Sequence, residues 1–149
     1  MKNRGQINQW IHSALIRASM QQGKSGTEIM HHCGAACAEI SDLYLGAIET
    51  RNDFARDKDP DKRFAAFKRN YYNRPDFIKK GRQITVIFKK CTCPLVKEGV
   101  HDPFLCNCTI GFTKKIFESL FEKPVAVELK TSILRGDNVC RQEVELLNP

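Results

Sequence analysis

The residues best equipped for chemistry are seven cysteines, Cys33, Cys37, Cys91, Cys93, Cys106, Cys108 and Cys140. They form one pair four apart, two pairs two apart and one single. An odd number does not close into a disulfide set, and the opening MKNRGQINQW has no apolar stretch of the kind a secretory signal needs. Reduced thiols in a cytoplasmic protein are therefore expected. In Cys91-Thr92-Cys93-Pro94 an extended backbone puts both thiols on one face. With a turn at Pro94, they and Cys106-Asn107-Cys108 can converge on one ion. Zinc held by a subset of Cys91, Cys93, Cys106, Cys108 and Cys140 would close the intervening loop and brace it. The spacing is shorter than in zinc fingers, and the same residues suit a core or a pocket wall as small apolar side chains. Both readings stay open, with thiol redox chemistry a third.

Cys33 and Cys37 carry Gly34, Ala35 and Ala36 between them, and His31 and His32 just before. At helical spacing the two thiols share a face and could flank a ligand or bind an ion together. The glycine and alanines admit close approach of a ligand or a second backbone. Neither cysteine begins a helix, where the dipole would lower a thiol pKa. His101-Asp102 has the composition of an acid–base pair or a further metal ligand. Cys33, Cys37 and His101 are thus the candidate catalytic groups of a hydrolase using a cysteine nucleophile or a metal-bound water, with His101, Glu128 or His31 as base. No Ser-His-Asp spacing, phosphate-cradling glycine loop or His-Glu-x-x-His helix is present.

Hydrophobic periodicity sets the elements that must position these groups. Ile7, Trp10, Ile11, Ala14, Leu15 and Ala18 mark an amphipathic helix over 5–22, ended by Gly23. One longer helix is expected next, from Ser25 or Thr27 onward, with the stripe Ile29, Cys33, Cys37, Ile40, Tyr44, Ala47 and Ile48. Pro60 suits the first turn of a third helix bearing Phe64, Phe67 and Tyr71, with Lys62, Arg63, Lys68 and Arg69 expected on its surface. Alternation of Ile84, Val86 and Phe88 predicts a strand over 82–91, and Pro94, Gly99 and Pro103 a loop. A fourth helix is expected from Asn107 or Thr109 to Pro124. Strands follow at Val125–Leu129, at Thr131–Leu134 and, beyond the Arg135–Asn138 turn, at Val139–Leu147. This is an α+β plan: N-terminal helices packed on a mostly antiparallel sheet interrupted by one helix. Residues 1–149 read as a single domain, mainly helical over 1–75 and strand-helix-strands over 82–149.

Composition limits the function classes. With 149 residues, 42% of them hydrophobic, the chain can bury one core. No apolar run reaches the roughly 18 residues of a membrane span, so no membrane partner is expected. The net charge of +7 comes from residues 56–90, where twelve Lys and Arg face four Asp; the remainder is near neutral. No helix-turn-helix, zinc-finger or RNA-stacking signature accompanies that charge, so no nucleic-acid partner is expected either.

Within Cys106–Leu146 stand C-N-C-T-I-G-F, I-F-x-x-L-F-x-x-P-V-x-V-E and G-D-x-x-C-x-x-E-V. This C-terminal half resembles the 4-vinyl reductase domain, a ligand-binding module also found in sensors of aromatic hydrocarbons. The resemblance implies helices on an antiparallel sheet with an apolar pocket between them, and a structural zinc held by cysteines and a glutamate. Carried over by position, Cys106 or Cys108 is the first ligand, Glu128 the acidic one and Cys140 the last. Ser132 stands where that family has a further cysteine, and Glu128 is offset by one position. The half also resembles, more weakly, 2-amino-thiazoline-4-carboxylate hydrolase-like proteins.

The expected function is a small cytoplasmic module binding an apolar or aromatic molecule, braced by cysteine-bound zinc. The ligand would meet Cys33, Cys37, Phe67, Tyr71, Phe112 and Phe117, and Arg63 or Arg69 could receive a carboxylate at the mouth. A homodimer is the expected assembly. The competing expectation is a metal- or cysteine-dependent hydrolase of a cyclic amide or thiazoline.

Overall fold

The computed structural model describes residues 2–70, 76–91 and 93–147. Helix α1 (Lys2–Gln21) and helix α2 (Lys24–Glu39) are joined at Gly23, whose φ of 57° lies in the left-handed region that favours glycine. The long helix expected to follow is instead broken in two. Helix α2 ends at Ile40, and α3 (Asp42–Asp53) starts anew on Ser41. The Ser41 hydroxyl accepts from the Tyr44 N–H at 3.2 Å and donates to the Ala38 carbonyl at 2.6 Å. One serine thus satisfies groups from both helix ends, the recurring solution for orphan backbone groups.

Helix α4 (Pro60–Asn70) begins at its proline as expected, but Arg63 is not on its surface. Arg63 is completely buried. Its Nη2 donates to the Phe54 carbonyl at 2.8 Å, Nη1 to the Leu120 carbonyl at 3.1 Å and Nε to the Asp57 carbonyl at 3.3 Å. Nη1 also reaches the Glu122 carboxylate at 2.9 Å, holding that carboxyl below its ordinary range. A helix-surface pattern cannot reveal this role, because an arginine at such a position ordinarily snorkels to water.

The strand expected over 82–91 is the second arm of a hairpin, β1 (Asp76–Lys80) and β2 (Gln83–Phe88), turning at Gly81 with φ 58°. A short helix α5 (Pro94–Lys97) and a 3-10 turn at Pro103–Leu105 lead to α6 (Cys106–Phe121). This helix starts ahead of the expected Asn107 or Thr109 and ends at Glu122, a non-glycine residue with φ 55°. Strand β3 (Val125–Thr131) and strand β4 (Cys140–Leu146) complete an antiparallel sheet of order β1-β2-β4-β3. The run Thr131–Leu134, expected as a strand, ends β3 and enters a 3-10 turn at Ile133–Arg135. The α+β class stands: helices cover one face of a four-stranded antiparallel sheet.

The core lies between the inner sheet face and α3, α4 and α6. Ile84, Val86, Val125, Val144 and Leu146 meet Phe64, Phe67, Ile116, Phe117, Leu120 and Phe121 there. Phe67, Phe77 and Phe117 form an edge-on and tilted triad with centroids 5.7–6.4 Å apart, and Phe117 stacks on Phe121 at 5.9 Å. A smaller cluster of Met30, Val100 and Leu105 collects Cys93, Leu95, Phe104 and Cys108 around the 93–105 segment.

Candidate functional site

Helices α2 and α6 cross at a distance only glycine permits. A Cβ on Gly34 would sit 1.7 Å from the Cys108 carbonyl oxygen, and one on Gly111 1.9 Å from that of His31. Two reciprocal glycine contacts thus press the backbones together and bring the Cys37 and Cys108 faces into one place. Beside the crossing, where α2 breaks at Ile40, the wall between helices and sheet is incomplete. The result is a cleft of about 330 Å³ lined by Cys37, Ile40, Ser41, Phe88, Cys93, Cys108, Thr109 and Phe112. The break in the long helix makes this opening, since Ile40 is 88% exposed at its rim.

Charged side chains are absent from that lining, and two of its thiols are pushed toward the neutral form. Burial pushes Cys37 up, helped by the neighbouring Cys93. Burial raises Cys108 further, to about 12, with Cys37, Cys93 and Cys33 adding to the effect. Desolvation disfavours a thiolate, and for Cys108 burial is the largest cause even though the residue stands in the first turn of α6. The cleft therefore behaves as a soft apolar surface at neutral pH.

A second set of cysteines lies at the end of the sheet. The Cys106 sulfur is 3.0 Å from the hydroxyl of the wholly buried Ser132, and the Cys140 sulfur accepts from the Ile133 N–H at 3.3 Å. Burial pushes the Cys106 thiol up, partly offset by the Ser132 bond and by Arg135, while Cys140 and Cys91 add to the rise. All seven cysteines are free thiols; Cys108 neighbours Cys33, Cys37 and Cys93, and also Cys106, which in turn neighbours Cys91 and Cys140. Among the described residues, no three His, Cys, Asp or Glu side chains are placed to hold one metal ion.

The remaining expected site residues are dispersed. Cys37 and Phe112 line the cleft; Cys33 does not, although it neighbours Cys108 electrostatically. Phe67 and Phe117 are in the core and leave no surface for a ligand. Tyr71 lies outside the described residues. Glu128 is exposed on the outer sheet face, paired with Lys130 at 2.8 Å, away from the cysteines. His101 is exposed in the loop before α6, and its neighbour Asp102 accepts from the Phe104 N–H at 2.9 Å as a turn cap. His31 lines a separate α2/α6 groove with Glu28, His32 and Lys114, and burial and then Lys114 lower its pKa. Arg69 is exposed on α4. Ile40, Ser41, Phe88 and Thr109 line the cleft without having been expected there. The Ser41-Asp42 pair, a helix-start signal inside an apolar stripe, was the available clue.

Helices covering one face of an antiparallel sheet, with an apolar cleft between the layers, define the class of this protein. The chain belongs to DUF6144, a family of unknown function whose model matches residues 3–149. No curated protein matches it. Among solved structures, it is similar to a trafficking protein particle complex subunit 3 from Naegleria fowleri covalently bound to palmitic acid. The identity is 15% and the TM-score 0.52 over 99% of this chain and 98% of that one, a likeness of fold. No described helix is long and apolar enough to cross a membrane.

Proposed function

We propose that this protein is a small-molecule-binding module whose ligand, an apolar or aromatic molecule, occupies the cleft between α2, α6 and β2. The observation that carries this reading is the lining itself. About 330 Å³ walled by Phe88, Phe112, Ile40 and the thiols of Cys37 and Cys108, both pushed toward the neutral form, is within the range of small-ligand sites, and no Asp, Glu, Lys, Arg or His lines it. The resemblance to 4-vinyl reductase domains supports the same ligand class. The palmitic acid on the trafficking subunit is a fold relative's acyl ligand and supports an apolar one here. Covalent attachment is not part of the proposal, because the raised Cys37 and Cys108 thiols are the reverse of activated nucleophiles. The same argument weighs against Cys37 as the nucleophile of a hydrolase.

The test is saturable binding of Nile red, an uncharged dye whose emission rises in apolar sites. Wild-type protein is expected to give a one-to-one isotherm, and Thr109→Trp, which fills the cleft, is expected to abolish it while circular dichroism stays unchanged. Equal dye binding by the two proteins would overturn the assignment.

A further inference from the structure

One buried polar side chain on the inner sheet face lacks partners. Gln142 on β4 is completely buried, and among the described residues neither its amide nitrogen nor its amide oxygen has a hydrogen-bond partner. Buried polar groups are nearly always paired, and leaving both ends of an amide unpaired costs on the order of 1–3 kcal/mol per group. The position is defined by strand register. Gln142 lies opposite Val86 on β2 and Leu129 on β3, while Phe88 lies opposite Cys140. Alternation along β2 and β4 puts Ile84, Val86, Phe88, Gln142, Val144 and Leu146 on the inner face. Phe88 and Gln142 are therefore diagonal neighbours on adjacent strands, a separation long side chains span. Phe88 is also a wall of the cleft. Phe88 thus borders the cleft and, by strand register, has the unpaired amide as its diagonal neighbour.

Resting on the small-molecule reading above, we infer that Gln142 selects the polar end of the ligand. The ligand has an apolar body in the cleft and a neutral terminus that both donates and accepts, an amide or a hydroxyl, reaching past Phe88. An amide terminus fits best, because its N–H meets the Gln142 oxygen while its carbonyl meets the Gln142 N–H. An ionised carboxylate fits poorly. The residues opposite Gln142 on the adjacent strands, Val86 and Leu129, and its diagonal neighbour Phe88 carry no charge, and burying an unpaired charge costs far more than burying a paired amide.

The experiment compares butylbenzene with 4-phenylbutanamide by displacement of Nile red, in wild type and in Gln142→Met, which keeps the length and removes both hydrogen-bonding groups. The amide is expected to lose about tenfold in affinity in the variant, the yield of one to two neutral hydrogen bonds. Butylbenzene is expected to bind unchanged or more tightly. Should Gln142→Met not fold, Gln142→Leu serves in its place. If both probes change by one factor, Gln142 makes no contact with the ligand and the inference fails while the cleft assignment stands. If neither probe displaces the dye from wild type, both fail together.

Discussion

Replacing Gly34 by alanine sets two effects of opposite sign against each other. In an exposed helix interior the change stabilises by about 1 kcal/mol, since alanine is the better helix former. Here the new methyl would lie 1.7 Å from the Cys108 carbonyl oxygen and 2.8 Å from the Phe112 backbone nitrogen. Ordinary contact begins near 3.4 Å, so the helices must separate by well over 1 Å. Both colliding atoms are backbone, and no side chain can rotate out of the way. Overpacking of this kind costs about 1–3 kcal/mol or more, and a backbone collision belongs at the upper end. The expected net loss is about 2 kcal/mol, which for a chain of this size lowers Tm by about 6 °C. Guanidinium unfolding followed by circular dichroism measures it directly, and Nile red binding should fall as well, because Cys108 and Phe112 line the cleft. A midpoint equal to or above wild type would refute the close crossing and, with it, the way the cleft is built.

Other outcomes follow from the same contacts. Arg63→Met removes the donor shared by the Phe54, Asp57 and Leu120 carbonyls and should cost about 3 kcal/mol in the same unfolding assay, the scale of breaking a buried charged network. Cys108 should react with iodoacetamide at pH 8 at least about thirtyfold more slowly in the folded protein than in guanidinium, since its thiolate is scarce and only partly compensated by greater nucleophilicity. Mass-spectrometric peptide mapping reads that ratio. Because the folded thiol ionises only near 12 while the unfolded one ionises near 9.0, its contribution to stability is complete below pH 9 and is lost as pH rises toward 12. Cys108→Ala should flatten that decline.

Much of this architecture is written in local patterns. The stripes of Phe64 and Phe67, the alternation of Ile84, Val86 and Phe88, and the Pro60 and Pro124 boundaries each involve residues within one element, and the structure follows them. The helix break at Ile40 was hidden because Ile40 and Tyr44 continue an apolar period across it; only Ser41 and Asp42 dissent. The hairpin arm at Asp76–Lys80 was obscured by three charged residues in five, the ordinary guise of an edge strand. Arg63 was misplaced because its partners lie as far away as Leu120, beyond the reach of any spacing rule. The cysteines, expected as candidate metal ligands or pocket residues, are all free thiols, and Cys37, Cys93 and Cys108 line the cleft. Which thiols face a cleft depends on the glycine crossing of α2 and α6, a tertiary contact that no window of sequence contains.

The claim on which the functional reading rests is that the space beside Cys37, Cys108 and Phe112 receives an apolar molecule. Titrating isotopically labelled protein with butylbenzene and following backbone amide shifts tests it most directly. The account predicts saturable shifts centred on Cys37, Ile40, Phe88, Cys93, Cys108, Thr109 and Phe112. Shifts that never saturate, or that centre on the exposed Trp10 and Met20 of α1, would contradict it.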